Sequence, residues 1–291
     1  MNLKVTCALV IFTGCLLAPA AIAQTPNVEF PAPSPASTLK QRVGLTDVEI
    51  AYSRPSMRGR RIFGAMIPYG EVWRTGANTA TRVSFSTDVT LQGAALAAGD
   101  YELFTIPGRD EWTIIVQKRP EKASWGAYSY KQENDTARVT ARPTTLASAA
   151  ETLAIGIADL HDTGATVYIE WENTRVPLQL QVDTVGILMP RIKAAIASDG
   201  PKSWNLYYGA AALLYDNGGD LEQSLAWVEE SLKLRGDYPP PLLLQTRLLA
   251  KLGRHAEAKA AAEKTVAAGF KVEGPGSVMA RQAQDIADSL K

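Results

Sequence analysis

The spacing of hydrophobic positions changes character three times along the chain. Residues 5–17 are almost wholly apolar, and residues 24–37 then hold four prolines among small residues with no period to pack. From Val48 the period is two: Val48, Ile50 and Tyr52 alternate with Glu49 and Ala51. Further short runs follow at Arg82–Ser86, Val89–Leu91, Tyr101–Ile106, Trp112–Gln117, Ala137–Ala141, Leu153–Leu160 and Thr166–Gln181, the last broken at Asn173. The turn Pro107-Gly108-Arg109-Asp110 predicts a hairpin between two of them. About nine short strands with no helical period between them point to an antiparallel sandwich or barrel. Its expected bounds are residues 40–183. After Asp183 apolar residues recur at i, i+3 and i+4, which predicts helices over Leu206–Tyr215, Leu221–Leu234, Leu242–Leu252 and Ala256–Ala268, with a last one within Gly276–Leu290. The fold class is therefore a β domain followed by an all-α domain, residues 187–291.

The helical part has an internal offset. Gly219-Asp220-Leu221-Glu222-Gln223-Ser224 aligns with Gly253-Arg254-His255-Ala256-Glu257-Ala258, 34 residues later. Leu214 and Leu248, Ala226 and Ala260, and Ser231 and Thr265 keep the same offset. This resembles a degenerate tetratricopeptide repeat, in which the early tryptophan and glycine are poorly kept. Small residues at Ser224, Ala258, Ser231 and Thr265 let neighbouring helices approach closely. Two clear copies are fewer than an isolated solenoid needs, so the β domain or the last helix must cover their open faces. Trp204, Tyr207 and Tyr208 are candidates for that contact. A packed helical cap and a groove for a protein partner both remain open readings.

Composition places the chain in a compartment. Lys4, the apolar run and Ala21-Ile22-Ala23 before Gln24 form an expected signal peptide, residues 1–23, cleaved after Ala23. A lipoprotein box at Phe12-Thr13-Gly14-Cys15 fits poorly, and neither this run nor any later one has the ~20 apolar residues of a transmembrane helix. Residues 24–39 become a proline-rich leader, and the protein is expected to be periplasmic or secreted. Cys7 and Cys15 both lie in the signal, which leaves the mature chain without a thiol. The formal net charge of +0 argues against a nucleic-acid partner. Two histidines, His161 and His255, without ligand spacing argue against a metal, and the chain lacks a phosphate loop or a nucleophile elbow. No cofactor is expected.

The candidate chemistry is concentrated between the first strand and Arg82. Tyr52–Asn78 carries Arg54, Arg58, Arg60, Arg61 and Arg74, five arginines within 21 residues, among glycines and prolines that shape a long ordered loop. Guanidinium groups bind carboxylate, phosphate or sulfate in a bidentate way and stack on aromatic rings. The candidate ligand-binding set is Arg54, Arg58, Arg60, Tyr69, Trp73, Arg74 and Asn78. Thr75 is a further donor, and Trp125-Gly126-Ala127-Tyr128-Ser129-Tyr130 a second wall. Trp112 and Trp171 read as core. Alternatively the arginines pair with Glu49, Glu71, Asp100 or Glu102 and pin the loop to the sheet. Glu71 is the one candidate acid or base, and a glycosidase would need a second carboxylate facing it.

The blocks Ser53-Arg54-Pro55, Gly59-Arg60, Ile62-Phe63-Gly64, Pro68-Tyr69-Gly70 and Val72-Trp73-Arg74-Thr75-Gly76-Ala77-Asn78 resemble the domain-of-unknown-function family numbered 2911. So do Ala98-Gly99-Asp100-Tyr101, Ile106-Pro107, Glu111-Trp112 and the Trp125–Tyr130 block. The resemblance covers nearly the whole β domain and implies an exported bacterial protein. The expected function is binding of an anionic small molecule or glycan by the arginine- and aromatic-lined loop. The alternatives are a metal-independent hydrolase or lyase on an anionic saccharide, and a structural mount for the helical repeats.

Overall fold

The computed structural model describes residues 29–128 and 130–290. The expected signal peptide and residues 24–28 of the leader lie outside the described residues. Among those described, ten strands precede six helices.

The strands are β1 (Ala36–Val43), β2 (Thr46–Ser53), β3 (Thr81–Phe85), β4 (Val89–Leu91), β5 (Ala94–Leu96), β6 (Gly99–Ile106), β7 (Trp112–Lys118), β8 (Asp135–Ala141), β9 (Thr144–His161) and β10 (Gly164–Val182). They form a six-stranded sheet in the order β1-β2-β3-β6-β7-β8 and a four-stranded sheet in the order β5-β4-β10-β9. Neighbouring strands are antiparallel throughout. The buried positions of β2, Thr46, Val48, Ile50 and Tyr52, are the period of two read along the sequence. Val48, Ile50 and Tyr52 join Leu103, Trp112 and Ile114 from the same sheet and Leu153, Ile169, Trp171 and Leu178 from the other in one core. Two sheets facing a shared core make the domain a sandwich.

Two differences from the expected strands have physical causes. β1 begins at Ala36, inside the stretch read as leader, because it is an edge strand with alternate residues exposed and little apolar signal. The break expected at Asn173 is a bulge in a continuous β10, with register shifts on both sides of Glu172 and a positive φ of 55° at that residue.

A second, smaller cluster lies on the other face of the large sheet. There Phe104, Ile115 and Ala80 are buried, with Val72, Ile106, Ala127 and Tyr130 packed over them. β7 is thus buried on both faces.

The helices are α1 (Thr184–Ala197), α2 (Trp204–Asp216), α3 (Leu221–Leu234), α4 (Pro239–Lys251), α5 (His255–Glu273) and α6 (Val278–Ser289). Side chains of Asp183, Ser203, Asp220 and Ser277 cap α1, α2, α3 and α6, and α4 starts on prolines, whose missing N–H groups cost nothing there. Close helix approach is made at the expected small residues: Ser224, Ser231, Ala258 and Thr265 are all fully buried. Ser224 Oγ donates to the Ala211 carbonyl at 2.7 Å and Ser231 Oγ to that of Trp204 at 2.8 Å. Trp204, a candidate for contact with the β domain or the last helix, packs on Tyr208 and Tyr238, with Arg235 over it. Tyr207 and Tyr208 pack against the helical core. No helix among the described residues is long and apolar enough to cross a membrane.

Candidate functional site

The loop between β2 and β3 is held mainly by main-chain bonds. Leu153 N–H donates to the Pro55 carbonyl at 2.9 Å, and Met57 N–H to that of Glu151 at 2.7 Å, so residues 55–57 lie along the free edge of β9. The loop's cations serve this docking. Arg54 Nε donates to the Leu153 carbonyl at 2.8 Å, and Arg60 donates to the carbonyls of Met57 and Ser56 at 2.9 and 2.8 Å. The Arg58 backbone N–H donates to the Glu151 carboxylate at 2.8 Å. Further on, the Glu172 carboxylate accepts from the N–H groups of Ile62 and Phe63, at 3.3 and 3.2 Å. Residues 62–67 close as a tight hydrogen-bonded turn, with the Ile67 and Ala65 N–H groups donating to the Ile62 carbonyl.

The structure disperses the candidate set. Trp73 is a core residue. Its backbone N–H and C=O pair with Thr105 at 2.7 and 2.8 Å, and its indole N–H donates to the Gly76 carbonyl at 3.0 Å. The ring stacks on Trp171 at 5.9 Å and meets Phe63 and Trp112 edge-on. Tyr69 lies against Arg109, 5.0 Å from the guanidinium carbon, beside a small pocket of about 110 Å³ that includes Asn173 and Thr174. Glu71 is exposed. Arg54, Arg58 and Arg60 are at the β9 edge, whereas Arg74 and Asn78 belong to a different place, the outer face of the six-stranded sheet.

Two of the carboxylates proposed as partners for the loop arginines, Glu49 and Asp100, pair with other cations. Arg82 bonds Glu49 at 2.8 Å and Asp100 at 2.9 Å, and Lys40 reaches Glu49 at 2.9 Å. The Lys40 ammonium and then Arg82 hold the Glu49 carboxyl below its ordinary range, and the Arg82 hydrogen bond does the same for Asp100. Arg54, Arg60, Arg61 and Arg74 form no ion pair among the described residues.

On that outer face, residues 78–80 carry the segment 124–126. Ala80 N–H donates to the Ser124 carbonyl at 2.9 Å, Gly126 N–H to that of Asn78 at 3.1 Å, and Thr79 bridges Trp125. The second wall anticipated from the sequence therefore adjoins the last turn of the loop. Asn78 has a φ of 60° and donates through Nδ2 to Ser53 Oγ at 3.1 Å. Non-glycine residues with positive φ at both Thr75 and Asn78 store strain in this turn, a feature that concentrates at functional sites.

Beside the segment lies a pocket of about 640 Å³, lined by Gln117, Lys118, Lys122, Ser124, Trp125 and Asn134. Trp125 is 64% exposed and Tyr128, three residues on, is 90% exposed. Lys118 and Lys122 also lack ion-pair partners among the described residues. Gln117 is fixed by its amide, which donates to the Lys131 carbonyl at 2.7 Å and to Asp135 Oδ1 at 2.9 Å. Asp135 also accepts from Tyr130 and Arg138, at 3.1 and 3.0 Å, and burial pushes the Tyr130 hydroxyl up. Glu102 faces Gln117 across the strands and is 1% exposed. One oxygen, Oε1, accepts from Ser124 N–H at 2.8 Å. Gln117, Lys118 and Lys122 escaped the sequence reading because β7 scores as a plain apolar strand and the turn after it as solvated charge.

The fold and this site define a two-sheet antiparallel β domain with a pocket lined by Trp125, Gln117 and lysines beside its larger sheet. Residues 34–180 match the model of a family described as a protein of unknown function (DUF2911), and the chain belongs to that family. A comparison with curated proteins finds no match.

Proposed function

We propose that the protein is an exported binding protein whose β domain takes an anionic glycan or small molecule at the pocket beside Trp125. One observation carries this reading. The 64% exposed Trp125 lines a pocket of about 640 Å³ that Lys118 and Lys122 also line, and neither lysine has a carboxylate partner among the described residues. Exposed aromatic faces favour the apolar face of a sugar ring, and unpaired ammonium groups favour its acidic substituents. The signal peptide with cleavage after Ala23 supports a periplasmic or secreted location. The helical region fits tetratricopeptide-like pairs, with α2–α3 and α4–α5 carrying the 34-residue offset, and would meet a protein partner.

The test is titration of the purified chain with acidic oligosaccharides, followed by tryptophan fluorescence. Trp125→Ala is expected to abolish binding. Lys118→Ala with Lys122→Ala should weaken it several-fold and flatten its dependence on salt, since exposed charges are screened over about 8 Å at 0.15 M. Binding that survives Trp125→Ala unchanged would move the site elsewhere.

A further inference from the structure

The pocket of about 110 Å³ beside Tyr69 is built differently from the one beside Trp125, and the two share no lining residue. The β2–β3 loop, the β6–β7 turn, the start of β9 and the bulge of β10 converge on it. The bulge opens the space. Between the pairs Glu172–Ala150 and Thr174–Thr145, β10 has one residue, Asn173, and β9 has four, so the ladder parts there. Two lining residues, Phe63 and Trp112, are buried core aromatics whose rings meet edge to face at 4.9 Å. Three others, Arg109, Thr145 and Asn173, are exposed. The deep side of the pocket is therefore aromatic, and the side open to solvent is polar. The Arg109 guanidinium lies over the Tyr69 ring, which packs on Gly64 so closely that a Cβ there would strike it. Arg109 has no ion pair among the described residues, and the side chains of Thr145, Asn173 and Thr174 have no hydrogen-bond partner among them. Among the described residues, no carboxylate lines this pocket.

Two unlike sides call for a ligand with two unlike ends. The open side offers a permanent cation with amide and hydroxyl donors, the chemistry that holds an oxyanion. Phosphate or sulfate carries oxygens all round, and would set some of them against the Phe63 and Trp112 rings with no hydrogen bond in return. A carboxylate carries its oxygens on one side and carbon on the other. A space of about 110 Å³ equals the liquid volume of roughly four waters, which suits a molecule of four or five heavy atoms. We propose that this pocket binds a short-chain monocarboxylate, of acetate to propionate size. Its oxygens accept from Arg109 and from the Asn173 amide, with the Thr145 and Thr174 hydroxyls as further donors, and its alkyl end lies on Phe63 and Trp112. This is a second site, separate from the glycan pocket.

The experiment follows the full chain by calorimetry and by melting temperature in formate, propionate, hexanoate, sulfate and propanamide, all at one ionic strength set with chloride. Propionate is expected to bind saturably with a Kd of about 1 mM, in keeping with so small a ligand. Formate should bind several-fold more weakly for want of the alkyl end, and hexanoate no more tightly, because the pocket has no room for a longer chain. Propanamide, which keeps the shape and loses the charge, and sulfate should each be weaker by about tenfold or more. Arg109→Ala, on an exposed turn where the fold does not depend on it, should weaken propionate by about the same factor, and Asn173→Ala several-fold. Sulfate binding as tightly as propionate, or hexanoate binding more tightly, would overturn the short-carboxylate assignment. Propionate that raises the melting temperature no more than chloride does, or that binds both folded variants with unchanged affinity, would overturn the site itself. Neither failure bears on the pocket beside Trp125, which is read with other probes and other residues.

Discussion

Glu172 shows how a single side chain can govern a distant loop. Its carboxylate accepts from the N–H groups of Ile62 and Phe63, 110 and 109 residues away, and both of those residues are buried. Glu172→Ala would leave two donors unmet and is expected to cost about 1–3 kcal/mol, read by chemical denaturation, with faster amide exchange at Ile62 and Phe63. Glu172→Gly should cost less, because glycine relieves the φ of 55° at this bulge. Arg82 acts at the same scale through charge. Glu49 and Asp100, ordinarily near 4.5 and 3.8, are held lower when folded. Their contribution to stability is present above those ordinary values and is lost as pH falls through the lowered ones. Melting temperature measured from pH 6 down to pH 2 should therefore drop less in Arg82→Met than in the unmodified protein, and added salt should narrow the difference. None of these partnerships is legible in the sequence, because a carboxylate's choice of partner depends on which strands the fold makes adjacent. Trp73 was opaque for a related reason. Its neighbours Val72 and Arg74 offer too short an alternation to mark it as core, yet it extends the line of β3 by pairing with Thr105.

Among the elements, periodic segments were legible and aperiodic ones were not. The apolar alternation of β2, β3, β6 and β7 and the i, i+3, i+4 pattern of α2 to α5 gave those elements within a few residues, since both patterns record burial directly. β1, whose burial signal is weak, and α1, which opens the helical region, were not singled out. The Phe63, Trp73, Trp112 and Trp171 cluster is where the loop and both sheets meet, with Phe63 and Trp112 only 4.9 Å apart. Trp73→Ala is expected to cost about 3–5 kcal/mol in denaturant melts. In the helices, Ser224 is fully buried where α3 meets α2, and its hydroxyl bonds the Ala211 carbonyl. Ser224→Leu should destabilise by about 1–3 kcal/mol through overpacking, seen as a lower melting temperature.

For the whole molecule, the junction at which the β chain hands over to the helices is crowded and charged. Gly44, in the β1–β2 turn with a φ of 54°, sits where a Cβ would strike both Thr184 Oγ1 and the Asp162 carbonyl, which are hydrogen-bonded to each other. Burial, and then Asp162, push the Asp216 carboxyl above its ordinary 3.8. A raised carboxyl opposes folding once it is ionised, so Asp216→Asn should raise the melting temperature at pH 7, and the gain should vanish as pH falls toward 3.8. The arginine loop has a consequence at this scale as well. By bonding along β9, residues 55–57 occupy an edge strand that would otherwise offer unpaired N–H and C=O groups to another molecule. A protease cut within the loop should therefore leave the core standing and strip away this cover. The nicked chains would join edge to edge into insoluble assemblies, making the loop a guard of colloidal solubility as much as a neighbour of the pocket.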